Sequence, residues 1–188
     1  MAVATSFTTG IVELLEQGFG WTDDRLARVG PADLDAPTPC DGWRLRELLN
    51  HMLAALGRLA AAAEGGVTPP ERDRLGDDCG RSAFAEVRER ALRVWQAPGV
   101  MERTCALPLG AIPAPMAARL NLVEVVVHGW DVSRATGERA DIPDGLARPI
   151  LEFSRRAVEP ARGRAFGPDL TTGESLSDRT VSFLGRRP

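Results

Sequence analysis

Two histidines and one carboxylate stand out because their neighbours are almost wholly apolar. His128 lies four residues after Glu124, in a stretch running Asn121, Leu122, Val123, Glu124, Val125, Val126, Val127, His128, Gly129, Trp130, Asp131. On an α-helix, positions 121, 124, 128 and 131 fall within one narrow stripe. An amphipathic surface helix carries a wide polar face. A thin polar seam in an otherwise apolar helix is expected to face the interior, where each polar group must find a partner. A carboxylate and an imidazole at i and i+4 have Cβ atoms roughly 6 Å apart, close enough to share one ion. The other histidine, His51, sits in a second apolar stretch, Leu48 to Ala55. A His2Glu set leaves a coordination position open, the pattern of a catalytic rather than a structural site. That position would take water or a substrate atom. A Glu–His pair on a helix surface, and a histidine satisfied by core hydrogen bonds, are the competing readings of the same residues.

Further polar residues surround this set. Asp131, one turn beyond His128, is placed either to accept a ring N–H from a ligand histidine or to cap the helix end and pair with an arginine. Asn121 and Asn50 share that choice between supporting the ligands and ordinary core bonding. Arg58, seven residues after His51 on the same helical face, is a candidate anchor for a substrate carboxylate, with a plain salt bridge as the alternative. Trp43 and Trp130 are expected to pack helix ends, and Cys40 to be a small buried side chain. The pairs Arg162/Arg164 and Arg186/Arg187 read as solvated tail charges.

The elements that must hold these residues follow from periodicity. Phe7, Ile11, Leu14, Leu15, Phe19, Leu26 and Val29 recur at three- and four-residue steps, predicting a helix over about 6–29 that Gly18 and Gly20 weaken. The Pro-rich stretch Pro31 to Pro39 turns the chain. With Asp41 as N-cap, a second helix is predicted over about 43–64, stopped by Gly65 and Gly66 before Thr68, Pro69 and Pro70. A third covers about 82–96, with Phe84, Val87, Ala91, Val94 and Trp95 inward. Residues from Met101 to Pro115 read as a loop with a short strand around Arg103 to Leu107. The β-branched run Val125 to Val127 would suit a strand. The uninterrupted pattern is too long for one, so a fourth helix is predicted over about 115–136, ending at Gly137. A fifth over about 144–158 and a short one over about 176–184 complete an all-α chain. The expected architecture is a four-helix bundle over about 6–137 with a helical C-terminal extension over about 138–188, forming a single domain.

Composition removes several function classes. With 44% hydrophobic and 26% charged residues the 188-residue chain is ordinary globular protein, long enough to bury a core unaided. A net charge of −3 leaves no basic surplus for a phosphate backbone, so nucleic acid is not an expected partner. All 23 basic residues are arginine, which excludes a Schiff-base lysine. Cys40, Cys79 and Cys105 are far apart with no C-x-x-C pair, which suits a reducing, cytoplasmic setting. The N-terminus has no signal-peptide pattern. Arg58 and Glu124 interrupt the longest apolar runs, so no membrane span is expected.

Two motifs carry a family resemblance. Thr38-Pro39-Cys40-Asp41-Gly42-Trp43, followed by Leu48-Leu49-Asn50-His51, resembles the second-helix motif of the DinB-like superfamily, in the branch of mycothiol-dependent maleylpyruvate isomerases and related small metal-binding proteins. The run from Glu124 through His128, Gly129, Trp130 and Asp131, then Ala135-Thr136-Gly137, resembles that branch's second ligand motif. The ending from Phe166-Gly167-Pro168 to Phe183-Leu184-Gly185-Arg186 is similar to short members of the group. The resemblance implies a DinB-like fold and one divalent metal held by His51, Glu124 and His128: zinc first, with nickel, cobalt, manganese or iron as substitutes. It also implies a low-molecular-weight thiol, mycothiol, as co-substrate, and S-transfer to, or isomerisation of, a small electrophilic substrate. The isomerases carry a further C-terminal domain that a chain of this length does not accommodate. Hydrolysis by metal-activated water, and metal or small-ligand binding without turnover, are the alternatives on the same site; a homodimer is compatible with any of them.

Overall fold

The computed structural model describes residues 2–66, 72–108, 110–159, 162–163, 167–170 and 173–188, with side chains from residue 10 onward. Thr68, Pro69, Pro70, Arg164 and Phe166, which the sequence reading used, lie outside the described residues. Among the described residues six α-helices and one hairpin follow in the order α1 (Ala2–Leu26), α2 (Leu45–Glu64), α3 (Arg81–Trp95), β1 (Thr104–Leu107), β2 (Gly110–Pro113), α4 (Ala114–Ala135), α5 (Asp144–Ala157) and α6 (Leu176–Phe183). The all-α, DinB-like bundle with a helical extension is the architecture expected from periodicity and resemblance.

α1 to α4 close the bundle. α4 packs between α1 and α2, and α3 packs against the same two helices from the opposite side. Consecutive helices α1 and α2 therefore sit diagonally, as do α3 and α4. α5 and α6 pack on each other, and α5 joins the outside of the bundle against α4 and α1. One continuous apolar core runs from Ile11 and Leu15 to Val181 and Leu184. Among the described residues no helix is long and apolar enough to cross a membrane.

α4 is central and nearly buried all round: Leu122, Val123, Val125, Val126, Val127 and Trp130 are each at most 3% exposed. That burial outweighs the small helix-propensity deficit of three consecutive valines. Two glycines let α1 approach it closely. A Cβ on Gly18 would stand 2.8 Å from Val126 Cγ2, and one on Gly129 would stand 2.9 Å from the Trp21 ring. The gap is sealed by Thr22, whose buried hydroxyl donates to the Val125 carbonyl at 2.9 Å. Gly18 thus gives up helix propensity for close packing: it sets how near α4 can come.

Two local readings need correction, and a third gains detail. α2 starts two residues later than expected, and Asp41 is exposed and does not cap it. The Glu47 carboxylate instead accepts from the Arg44 backbone N–H at 2.9 Å, satisfying one of the helix's orphan donors. The Pro-rich turn carries a 3-10 turn over Pro31–Asp33 and a bridge between Pro37 and Arg44. The segment expected as a loop with one strand is a full antiparallel hairpin, Thr104 opposite Pro113 and Leu107 opposite Gly110. Its Cys105 is buried while its second strand is largely exposed, so β2 lacks the alternation that would have marked it in the sequence.

Candidate metal centre

α2 and α4 face each other, and this pairing brings His51 onto Glu124 and His128. The Glu124 Oε2 atom lies 3.3 Å from His128 Nε2 and 3.7 Å from His51 Nε2. One donor atom from each of the three residues falls within a single group whose members all lie within 4.8 Å of one another. The two imidazole rings meet nearly edge to face, at 83° and 5.2 Å between centroids. Exposure is graded: the side chain of His51 is 33% accessible, Glu124 23% and His128 9%. The centre therefore opens towards solvent on the α2 side and closes against α4.

This donor set fits a divalent ion. Donor atoms about 2.1 Å from one tetrahedral ion are separated by roughly 3.4 Å, and the two measured separations from Glu124 bracket that value. Glu124 Oε2 is also a buried oxygen without a hydrogen-bond donor in bonding geometry, an arrangement that costs stability unless a cation meets it. Burial pushes the Glu124 carboxyl up. The His128 and His51 imidazoles outweigh it and hold the group well below the usual carboxylate range. Glu124 is therefore an anion across the working pH range, the form a metal needs.

His128 has its second nitrogen fixed. Its Nδ1–H donates to Asp131 Oδ2 at 2.9 Å. An ionised carboxylate is only an acceptor, so Nδ1 carries a proton. Burial pushes the His128 pKa down, but its bonds to Asp131, Cys40 and Glu124 hold it well above the ordinary imidazole value, so the metal-free ring also carries a proton on Nε2, which a metal would displace to take that nitrogen as a ligand. Asp131 is fully buried and also meets Arg186, whose Nη2 donates to Oδ2 at 3.0 Å and whose Nε donates to Oδ1 at 3.3 Å. Burial pushes the Asp131 carboxyl up, but the Arg186 charge and the His128 bond bring it down to about 2. Cys40 completes the cluster: its thiol donates to Asp131 Oδ2 at 3.4 Å and accepts from Arg186 Nη2 at 3.5 Å.

Cys40, His128 and Asp131 form a second group of metal-capable donors, sharing His128 with the first. The guanidinium of Arg186 already supplies the positive charge there. The first group lies on the more accessible side, with His51 at its rim, and is the candidate for a metal.

The remaining residues singled out in the sequence divide. Asn121 accepts from the indole N–H of Trp95 at 2.8 Å and serves the core between α3 and α4. Asn50 bonds Asp73 at 3.1 Å and the backbone N–H of Arg74 at 2.9 Å, tying the incoming loop to α2. Arg58 is half-buried, two turns past His51 on α2. Trp43 does more than pack a helix end: its ring lies 4.6 Å from that of His51. Together they line a cleft of 480 Å³ with Arg46, Asn50, Ala54 and Arg72. A larger, more open depression of 600 Å³ between residues 72–78 and the start of α3 contains none of the three ligand candidates. Its Asp78 is engaged with Ser82 and Gly80.

Two tail arginines are not solvated. Arg186 is the partner of Asp131, and Arg162 donates to the carbonyls of Gly167 and Phe183, each at 2.9 Å. Arg187 is exposed, as expected. No periodicity in the sequence links Arg186 to a residue 55 positions earlier; its burial is visible only in three dimensions.

Comparison with known proteins identifies the family and a shared fold. The family model for the mycothiol maleylpyruvate isomerase N-terminal domain matches residues 15–133. Two Mycobacterium tuberculosis proteins described as uncharacterized, from strains CDC 1551 and H37Rv, are each 31% identical over 166 residues, covering 86% of this chain and 89% of the relative. Crystal structures of the mycothiol-dependent maleylpyruvate isomerase are similar in fold. A histidine-to-alanine mutant gives a TM-score of 0.61 at 17% identity, and a second structure gives 0.55 at 19%; both alignments cover 77% of this chain and 68% of the other.

Proposed function

Because the chain belongs to the family of the mycothiol maleylpyruvate isomerase N-terminal domain, we propose that it is a thiol-dependent enzyme that holds one divalent metal ion, zinc, through His51, Glu124 and His128. Its co-substrate is mycothiol or a close low-molecular-weight thiol, and its second substrate is a small electrophile. The observation that carries the reading is the convergence of two imidazole Nε2 atoms on one buried, otherwise unpartnered carboxylate oxygen.

A divalent cation at this centre supplies the positive charge that favours the thiolate form of the co-substrate near neutral pH. The chain's own residues do the rest. Glu124 lowers the net charge of the centre and, as a pre-ionised group, needs no proton removed before binding. Asp131 keeps the His128 proton on Nδ1. Trp43 walls one side of His51 and narrows the approach to the cleft. The cleft lies on the more exposed, α2 side of the centre, so thiol and electrophile reach it past His51. Of the charged residues on its lining, Arg46 is paired with Asp35 at 3.0 Å and Glu47 and Asp73 are acidic, so a carboxylate-bearing substrate would meet Arg72 first, with Arg58 two turns along α2 from His51. Addition of the thiolate to an activated C=C would exchange the π bond for a C–S bond, with the electron pair taken up by a proton on the neighbouring carbon. Keeping that adduct would give S-transfer, and loss of the proton and the thiolate after rotation about the new single bond would return the thiol and the isomerised alkene.

Elemental analysis of purified wild type beside His51→Ala and His128→Ala tests the metal. The expected result is one equivalent in wild type and none in either variant. Wild type that holds no metal and takes up neither zinc nor cobalt refutes it. For the thiol, mycothiol added to the cobalt-substituted protein should perturb its visible spectrum, and an unchanged spectrum at millimolar thiol would count against a thiol-dependent reaction.

A further inference from the structure

The residues after 133 fall outside the family match, yet one of them reaches the centre. Arg186 follows α6 directly, and its own backbone N–H is held by the Val181 carbonyl at 2.9 Å. Its side chain is 12% accessible and its Nη1 donates to the Leu184 carbonyl at 3.0 Å. The other face of the guanidinium makes a two-point contact with Asp131, one donor to each carboxylate oxygen. Both partners are thus fixed in direction as well as distance. The same Oδ2 that Arg186 meets receives the Nδ1–H of His128.

We infer that the C-terminal extension is a working part of the centre, with Arg186 as a positioning residue that acts through Asp131 to hold the His128 ring with Nε2 towards His51 and Glu124. This rests on the metal reading above. Without Arg186, the Asp131 carboxylate would keep, among the described residues, His128 and the weak thiol donor of Cys40, and would be free to rotate about its own χ2. The imidazole would then lose the fixed acceptor that aims it. The guanidinium also occupies the space between Cys40 and Asp131 where a second cation would otherwise sit. It therefore leaves His128 with a single metal-facing nitrogen. Hydrogen-bond partners of ligand histidines typically contribute 10- to 100-fold to metal affinity.

Zinc affinity by chelator competition in wild type, Arg186→Ala, Arg186→Lys and Arg162→Ala tests this, with thermal melts to confirm folding. Arg162→Ala removes the anchor between the tail, Gly167 and Phe183 without touching Asp131. Arg186→Ala should bind zinc about tenfold or more weakly. Arg186→Lys, which keeps the charge but not the two-point fork, should fall between it and wild type. Arg162→Ala should stay within about twofold of wild type, the tolerance set by indirect effects. Unchanged affinity in Arg186→Ala, or an equal loss in Arg162→Ala, overturns the inference while leaving the metal site intact. If the alanine variant does not fold, unchanged affinity in Arg186→Lys does the same. Wild type that binds no zinc removes the metal reading itself, so the two failures are distinguishable.

Discussion

Alanine at Gly129 tests whether close approach of α1 and α4 shapes the core beside His128. A Cβ there would lie 2.9 Å from the Trp21 ring and 3.1 Å from Thr22 Cβ, and nearer still to the Thr22 hydroxyl. That hydroxyl cannot swing aside freely, because it is buried and bonded to the Val125 carbonyl. In a helix interior alanine is favoured over glycine by about 1 kcal/mol. Against this stand about 1–3 kcal/mol for overpacking and about 1–3 kcal/mol for a buried hydroxyl forced off its acceptor. The net is a loss of about 3 kcal/mol, which for a chain of this size lowers the melting temperature by about 6–12 °C. Gly20→Ala on α1 is the control, since nothing lies within 4 Å of its added Cβ. Only the helix gain remains there, and the melting temperature should rise by about 2–4 °C. Thermal circular dichroism of the three proteins measures both signs. A Gly129→Ala protein that melts at or above wild type would show that the helix pair has room to spare, and the close-approach reasoning would be wrong.

Other expectations follow from single contacts. Asn121→Leu strands the buried Trp95 indole N–H that now donates to it. It also removes an amide nitrogen that has no partner, so the loss should be about 1–2 kcal/mol by urea denaturation; an unchanged midpoint at unchanged slope argues against it. The Asp131 carboxyl, brought down to about 2 in the folded state against about 3.9 unfolded, contributes stability that is fully present above pH 4. That contribution is lost as pH falls from about 4 to 2, and amounts to roughly 2–3 kcal/mol. Urea midpoints measured across that window should fall in wild type and be flatter in Asp131→Asn; parallel profiles would contradict the assignment.

The helices were legible because their burial is periodic. Phe84, Val87, Ala91, Val94 and Trp95 face inward as their spacing required, and α4 declared itself by length despite its valines. The polar seam on α4 was legible as a stripe but not as a set of roles. Asn121 serves Trp95, while Glu124 and His128 meet α2, and Asp131 meets the tail. Spacing tells which side chains share a face, and partners on other helices decide what each one does. Arg186 was hidden for the same reason. A charged residue beside another arginine and a proline near a chain end has every local mark of solvation, and only the docking of α6 buries it. Trp43 packs at the start of α2 as expected, and its further contact with His51 was not legible because it depends on a turn whose cap is the Glu47 carboxylate rather than Asp41.

The three donors differ in what holds them together. Glu124 and His128 belong to one turn of α4, so backbone hydrogen bonds alone set their spacing, and a fragment of that helix would keep it. His51 arrives from another helix, 73 positions away by residue number. For the proposed metal, the fold's contribution to the trio would be an effective concentration: packing of α2 on α4 would turn a two-toothed chelate into a three-toothed one without changing any donor. Affinity at the centre would then be a gauge of that packing. A substitution far from any of the three residues that loosens α2 would lower affinity by releasing the third arm, while the pair on α4 would remain as a weak bidentate site.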